Sequence, residues 1–373
     1  MTLVKKKVVI LSGDGNTVYW FRRELISDFQ KLDYDVHVVA PDIKEEFLET
    51  FHSMKVKFSK LSLKRKTINF LDSFTSFLSI KRILENISPD IFIAYTLKSV
   101  FLSGLCLYFS SIQNSTALIT GTGHIFHNKS YLGVFKKLLV IAALKISIPS
   151  FRLVFFQNPD DRDTFLKYQI VKINQIRMMN GSGVNLEIFR QVDLVADPVF
   201  LCISRLIKSK GLFEYAEAAK IVKSTHPKAR FLLFGYPDAH SDSIDEQEII
   251  NCWSEKYGIE YHGFSQIPEN TIAQASIFVL LSHHEGTPRV VLEAMAMGRP
   301  IITTNAPGCK ETVEEGVNGF KVPVGDSKSA ALQMIKLINP DLRTSMGKAS
   351  RKIAEEKFDV IKVNKNLIKE ICC

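Results

Sequence analysis

Glu285 and Glu293 stand eight positions apart in the run Glu285-Gly286-Thr287-Pro288-Arg289-Val290-Val291-Leu292-Glu293-Ala294. Ahead of it, Ile277-Phe278-Val279-Leu280-Leu281-Ser282 has the short apolar pattern of a buried strand. Behind it, Val290 to Gly298 reads as a buried helix with a glycine stop, followed by Pro300. In an open α/β sheet such a strand-to-helix loop lies outside the carboxyl ends of the strands, where ligands bind. The first turn of a helix leaves N–H groups unpaired and carries a partial positive charge, which suits a phosphate. Gly286 admits a ligand close to the backbone, and Pro288 fixes the entry without needing a partner for an N–H. Glu293, one turn into the helix, can accept ribose hydroxyls, and Glu285, on the loop, can accept sugar hydroxyls. Taken alone, the run is a capped helix carrying two solvated glutamates.

A second group changes that balance. Ser204-Arg205-Leu206-Ile207-Lys208-Ser209-Lys210-Gly211 follows the apolar strand Pro198 to Ile203. Arg205 and Lys210 sit at the corner into the next helix, where Arg offers a planar fork and Lys a point charge to a diphosphate. By itself this too is an ordinary solvated basic loop. With the glutamate loop in the same half of the chain, the set comprises cations and a helix terminus for a diphosphate and a carboxylate for a ribose. Those are the needs of a nucleotide diphosphate-sugar.

Other constellations are weaker. His283-His284 has the wrong spacing for a metal pair and no evident third ligand, so a structural role is expected. Asp33-Tyr34-Asp35 and Asp161-Arg162-Asp163 match D-x-D formally, but one falls in a turn and the other at a helix start, as punctuation and capping. No metal site and no bound cofactor are expected.

Composition sets the frame for these groups. The chain has 373 residues, 46% hydrophobic, enough for two domains of ordinary size. The start reads as a strand rather than a signal peptide, and no apolar run reaches the roughly 20 residues that span a bilayer. The six cysteines, Cys106, Cys202, Cys252, Cys309, Cys372 and Cys373, show no metal-ligand spacing and suit reduced thiols in the cytoplasm. The net charge of +9 is uneven. Residues 1–180 hold 25 Lys and Arg against 15 Asp and Glu, and residues 181–373 hold 23 against 24. No acidic residue lies between Asp90 and Asp160. A basic half points to a phosphorylated substrate or an anionic membrane surface. Nucleic acid is disfavoured because no helix-turn-helix, zinc or RNA-binding signature is present. Lys136, Lys137, Lys145 and Arg152 interleave with apolar residues, the pattern of an interfacial helix.

The elements that position these residues alternate along the chain. Strands are expected at Val8–Leu11, Val36–Ala40, Ile91–Ala94, Thr116–Thr120 and Leu153–Gln157. Helices are expected at 17–32, 67–86 and 99–109, and another begins at Asn158-Pro159. The pattern restarts with strands at 198–203, 230–234, 259–262, 277–281, 301–303 and 319–322 and helices at 211–224 and 246–257. The last stretch, 344–373, reads as long, charged and helical, with Phe358 at a bend. Repeated βα units imply parallel, doubly wound sheets. Two such halves, joined near 181–198, place a cleft between their carboxyl-end faces.

At this point the chain resembles the retaining glycosyltransferases of family four, which have the GT-B fold of two Rossmann-like domains. Glu285 to Ala294 resembles their E-x7-E signature. Met295 to Thr304, Pro307-Gly308, Glu311-Thr312-Val313, Gly316 to Phe320 and Ser204-Arg205-Leu206 with Lys210-Gly211 are similar as well. In the first half, Tyr95-Thr96-Leu97-Lys98, Thr120-Gly121-Thr122-Gly123 and Gly181-Ser182-Gly183-Val184-Asn185 resemble the subset that builds bacterial surface polysaccharides on a polyprenyl-diphosphate lipid.

The resemblance implies a domain for the acceptor over 1–185, a nucleotide-sugar domain over 186–355, and a terminal helix over 356–373 that packs back on the first domain. It implies that Arg205 and Lys210 hold the donor diphosphate, Glu285 the sugar and Glu293 the ribose. Gly286 and the amides near Val290 and Val291 would touch the distal phosphate. Gly13 and Gly15 would let the diphosphate and acceptor approach, although Val18 spoils a G-x-G-x-x-G reading of that loop. His124 is either a sugar contact or a loop residue. The expected function is retaining, metal-independent transfer of a hexose or N-acetylhexosamine from a UDP-sugar to a lipid-linked saccharide, by a peripheral enzyme on the cytoplasmic membrane face. A nucleotide-sugar epimerase, a phosphorylase or a non-catalytic nucleotide-sugar-binding subunit are the competing readings.

Overall fold

The computed structural model describes residues 5–62, 70–122, 126, 131–238 and 242–373. The chain forms two compact units, Met1–Ser182 together with Val363–Cys373, and Gly183–Lys362.

The described residues of the first unit form a seven-stranded parallel sheet from β1 (Lys7–Ser12), β2 (Asp35–Ala40), β3 (Lys57–Lys60), β4 (Ile91–Tyr95), β5 (Ser115–Ile119), β6 (Leu153–Phe156) and β7 (Ile176–Met178), in the order β3-β2-β1-β4-β5-β6-β7. Its central strands are covered by helices on both faces, so they read as continuous apolar runs rather than alternating ones. Alternate side chains still part to opposite faces. Val9, Leu11, Phe92, Ala94 and Phe156 enter one core, while Val8, Ile10, Ile91, Ile93 and Phe155 enter the other. β3 and β7, each a sheet edge with a single neighbour, were not expected from the sequence, because neither Lys57-Phe58-Ser59-Lys60 nor Ile176-Arg177-Met178 is an apolar run. Lys57-Phe58-Ser59-Lys60 has its lysines exposed, and edge strands carry charge of this kind against mispairing.

The second unit repeats the plan with β8 (Val199–Ile203), β9 (Arg230–Phe234), β10 (Ile259–Tyr261), β11 (Ile277–Leu280), β12 (Ile301–Thr304) and β13 (Gly319–Val322), ordered β10-β9-β8-β11-β12-β13, all pairs parallel. In both sheets the order runs outward from the first strand in two directions. That reversal makes a switch point at the carboxyl ends of β8 and β11, and this is where the sequence had placed its cations and glutamates.

The stretch over 344–373 is not one helix. It runs as the helix Pro340–Ile353, a π turn Ala354–Phe358, an extended Asp359 and the helix Val360–Cys372. At the break, the N–H of Val184 donates to the Phe358 carbonyl at 2.7 Å and that of Val360 to the Val184 carbonyl at 3.0 Å. The outgoing and returning passages of the chain are therefore paired. Residues 363–373 then join the first unit. Arg152 donates to the Glu370 and Ile371 carbonyls, Asn114 to the Ile371 carbonyl, and Arg177 pairs with Glu370 at 2.6 Å.

Between Val184 and Val199 the connector lacks helix and strand, so its carbonyls take donors from elsewhere. Three arginines of the second unit supply them. Arg351 donates to Phe189, Arg299 to Val192 and Asp193, and Arg343 to Ala196. Arg299 is fully buried, and burial lowers it to about 10, so it keeps its charge at neutral pH.

Among the described residues no helix is long and apolar enough to cross a membrane. The helix Tyr131–Ser147 instead carries an outward apolar stripe in which Phe135, Leu138, Leu139 and Ile146 are all more than half exposed.

Candidate functional site

The Lys210 loop leaves β8 and meets the Glu285 loop leaving β11. Two glycines permit the approach. Gly211 has φ +69, and a Cβ there would lie 2.0 Å from the Leu281 carbonyl oxygen. Gly308 has φ +80, with a Cβ falling 2.2 Å from the carbonyl oxygen of Glu285 and 2.4 Å from that of Gly286. Both positions need positive φ and a missing side chain, which only glycine supplies cheaply. Hydrogen bonds then fasten the loop from both sides. His283 N–H donates to the Ser209 carbonyl at 2.9 Å, Ser282 Oγ to the same carbonyl at 3.2 Å, and Glu285 N–H to the Pro307 carbonyl at 3.0 Å. The Thr304 hydroxyl donates to the Ser282 carbonyl.

This geometry brings Lys210 Nζ to 2.5 Å from Glu285 Oε1, with 12% and 17% of the two side chains exposed. Such a pair is mostly desolvated, so removing one partner strands the other's charge. Arg205, on the same loop as Lys210, pairs with Asp238 at 2.5 Å, on the loop after β9. Glu293 pairs with Arg289, Nε to Oε1 at 2.9 Å, with both side chains about nine-tenths buried. The helix Arg289–Ala296 starts at this site, with Pro288 as a cap that makes no side-chain hydrogen bond. The N–H of Val291 already donates to the Pro288 carbonyl at 3.0 Å, so the turn is tight where Val290 and Val291 were expected to offer amides.

His283 Nε2 lies 2.9 Å from Glu214 Oε1, on the helix Leu212–Thr225 that follows the Lys210 loop. Burial alone would push the Glu214 carboxyl up; the hydrogen bond and charge of His283, with a backbone N–H, outweigh it and hold the carboxyl below its ordinary value. His283 thus ties the two loops together, the structural role expected of it. Cys309 packs behind the Glu285 loop, and burial pushes its thiol up to about 12, so it is inert. Among the described residues no three His, Cys, Asp or Glu side chains cluster as metal ligands.

Asp161, from the second D-x-D match, is buried. It accepts from the Thr122 hydroxyl at 2.7 Å and from Asn158 Nδ2 at 2.8 Å, while its own N–H donates to Asn158 Oδ1. This is a capping network. It also fixes Thr122, from the Thr120 to Gly123 motif, beside the helix Pro159–Lys167.

In the first unit, Gly13 is buried in the loop after β1, and Gly15 opens the helix Gly15–Lys31. A Cβ on Gly15 would lie 2.5 Å from the Asp42 carbonyl oxygen, which accepts the Gly15 N–H at 2.9 Å. The missing side chain of Gly15 is therefore used by the chain's own 42–43 loop. Beside this loop Tyr95 is buried, its hydroxyl 2.9 Å from Thr17 Oγ1 and the Arg22 guanidinium 5.4 Å over its ring. Thr96 has φ 72, an outlier for a β-branched residue, at the start of the helix Leu97–Leu107. His124 and Gly123 lie outside the described residues.

The structure adds residues the sequence reading passed over. Arg289 was legible, since it stands four positions before Glu293 on one helix. Asp238 and Glu214 gave no signal, because their partners lie 33 and 69 positions away. The half-exposed Tyr236 and Phe264 meet edge to face at 5.5 Å just past the ends of β9 and β10, again a pairing that only the sheet creates.

The chain is similar to known proteins over both units. Residues 8–158 match the glycosyl transferase 4-like family and residues 185–353 the glycosyl transferases group 1 family. An N,N'-diacetylbacillosaminyl-diphospho-undecaprenol alpha-1,3-N-acetylgalactosaminyltransferase of Campylobacter jejuni is 23% identical over 97% of this chain and 96% of its own. A UDP-Gal:alpha-D-GlcNAc-diphosphoundecaprenol alpha-1,3-galactosyltransferase of Escherichia coli is 23% identical over 80% of this chain and 79% of its own. Among solved structures, sucrose-phosphate synthase of Thermosynechococcus elongatus superposes with a TM-score of 0.80 at 19% identity, covering 98% of both chains. HepE of Anabaena, in complex with UDP and glucose, gives 0.79 at 16% identity over 99% of this chain and 100% of the other.

Proposed function

This chain belongs to the GT-B glycosyltransferases, and from that premise we propose that it moves a hexose or N-acetylhexosamine, with retention, from a UDP-sugar to a saccharide on a polyprenyl diphosphate. The observation that carries the reading is the Lys210–Glu285 pair at the carboxyl ends of β8 and β11, beside the Arg205 loop and the start of the helix Arg289–Ala296. Arg205 and Lys210 hold the donor diphosphate, and they take up the charge that develops as the nucleotide leaves. The helix start adds its dipole to the same phosphate, a stabilisation that needs no divalent metal. Glu285 receives sugar hydroxyls and Glu293 the ribose. The acceptor hydroxyl attacks on the face from which the nucleotide departs, and the leaving phosphate oxygen takes its proton. The activities that name the Campylobacter and Escherichia relatives, both on undecaprenyl-diphosphate-linked saccharides, support this acceptor class.

The acceptor lipid implies a membrane surface, and we place the enzyme peripherally on its cytoplasmic side. The stripe of Phe135, Leu138, Leu139 and Ile146, with Lys136 and Lys145 exposed at its borders, supports that placement. An interfacial helix presents an apolar face to the acyl boundary and lysines to anionic headgroups.

The catalytic claim is tested by turnover of UDP-sugars onto a lipid-linked acceptor. Glu285→Ala and Lys210→Ala, confirmed folded by circular dichroism, are expected to lose at least about a hundredfold in rate. Wild-type rates in both folded variants would remove the assignment. Tight UDP-sugar binding without turnover in the wild type would favour a nucleotide-sugar-binding subunit.

A further inference from the structure

The helix Arg289–Ala296 breaks a local rule at its first residue. Helix starts favour acidic side chains, yet its first turn has none and opens on Arg289. The order Arg then Glu at i,i+4 is also the weaker orientation for an ion pair on a helix. The pair is nonetheless about nine-tenths buried, with Arg289 Nε 2.9 Å from Glu293 Oε1. A mostly buried ion pair adds little net stability and is a better means of holding a group in one place.

Resting on the donor-site reading above, we infer that Arg289 is a positioning residue: it fixes the Glu293 carboxylate toward the ribose hydroxyls and thereby sets the preference for ribonucleotide over 2′-deoxyribonucleotide donors. Arg289 acts through Glu293. A lysine in its place keeps the charge but loses the planar guanidinium that orients a carboxylate oxygen.

The test is titration calorimetry of UDP and 2′-deoxy-UDP into the full-length wild type, Arg289→Met, Arg289→Lys and Glu293→Gln. A hydroxyl bonded to a carboxylate should give the wild type about a tenfold or greater preference for UDP. Arg289→Met, which keeps the apolar stem, is expected to bring the two nucleotides to near parity by weakening UDP while 2′-deoxy-UDP holds its affinity. Arg289→Lys should fall between, and it carries the test if the Met variant does not fold. Adding Arg289→Met to Glu293→Gln should cost nothing more. Equal weakening of both nucleotides by Arg289→Met would assign Arg289 to the diphosphate and overturn the inference, as would an unchanged preference. A wild type or a Glu293→Gln variant that fails to show the expected preference or its loss removes the ribose role of Glu293, and the inference with it. The turnover of Glu285→Ala and Lys210→Ala judges the donor site separately.

Discussion

Lys210 and Glu285 face each other across loops 75 positions apart in sequence, and each is the counter-charge that lets the other stay mostly buried. The same logic applies one step behind them. Glu214 is held below its ordinary carboxylate value by His283, with burial opposing, so the folded state favours the charged carboxylate more than the unfolded chain does. A depressed carboxyl contributes stability that is present above the unfolded value of 4.5 and is lost as pH falls through the folded value. Wild-type protein should therefore exceed Glu214→Gln in unfolding free energy by up to about 1 kcal/mol near neutrality, with the gap closing only as pH falls below the unfolded value of 4.5. Urea unfolding of both proteins across acid pH checks this. A constant gap would mean that the carboxylate gains nothing from its partner in the fold.

At the scale of elements, loops are precise here because glycines and arginines discipline them. Gly211 and Gly308 let two backbones pass the Glu285 loop at distances no other residue tolerates. Arg299, Arg343 and Arg351 give the unstructured connector the donors a strand or helix would otherwise supply. The helix Tyr131–Ser147 is the opposite case, an element whose outer face is apolar. Its proposed occupant is a lipid surface, and the prediction belongs to the helix alone. Wild-type protein should co-sediment with anionic liposomes at low salt and less so at high salt. A Leu138→Ser/Leu139→Ser pair should reduce binding at both salt levels, since it removes apolar area rather than charge. Indifference of the wild type to anionic vesicles would strike out the membrane placement while leaving the donor site intact.

For the whole molecule, the last eleven residues matter most to the first unit. Leu367 and Ile371 are buried in the core that Val8, Ile10 and Phe155 share, although they follow the entire second unit in sequence. Ile371→Ala should destabilise by about 2–5 kcal/mol. The loss should be confined to the unfolding of the first unit, observable as one transition shifting while UDP-protected unfolding of the second does not. A uniform shift of both would show that the units unfold as one.

The βα rhythm was legible in the sequence because strands covered on both faces must be apolar throughout, as Val8–Leu11 and Ile277–Leu280 are. The residues proposed for the donor site, Glu285 with Glu293 and Arg205 with Lys210, were legible because each set lies within one strand-to-helix passage of the chain. Edge strands β3 and β7 were not, because charged residues interrupt Lys57–Lys60 and Ile176–Met178 and leave no apolar run. Nor were the partners Asp238, Glu214 and Pro307, or the capture of Gly15 by Asp42, because those contacts are made between loops distant in sequence. Sequence alone determined which residue types stand at the carboxyl ends of the strands. Only the tertiary structure decided which of them share a charge, because a low-polarity interior forces each buried ion to a partner that strand order, not chain order, brings near.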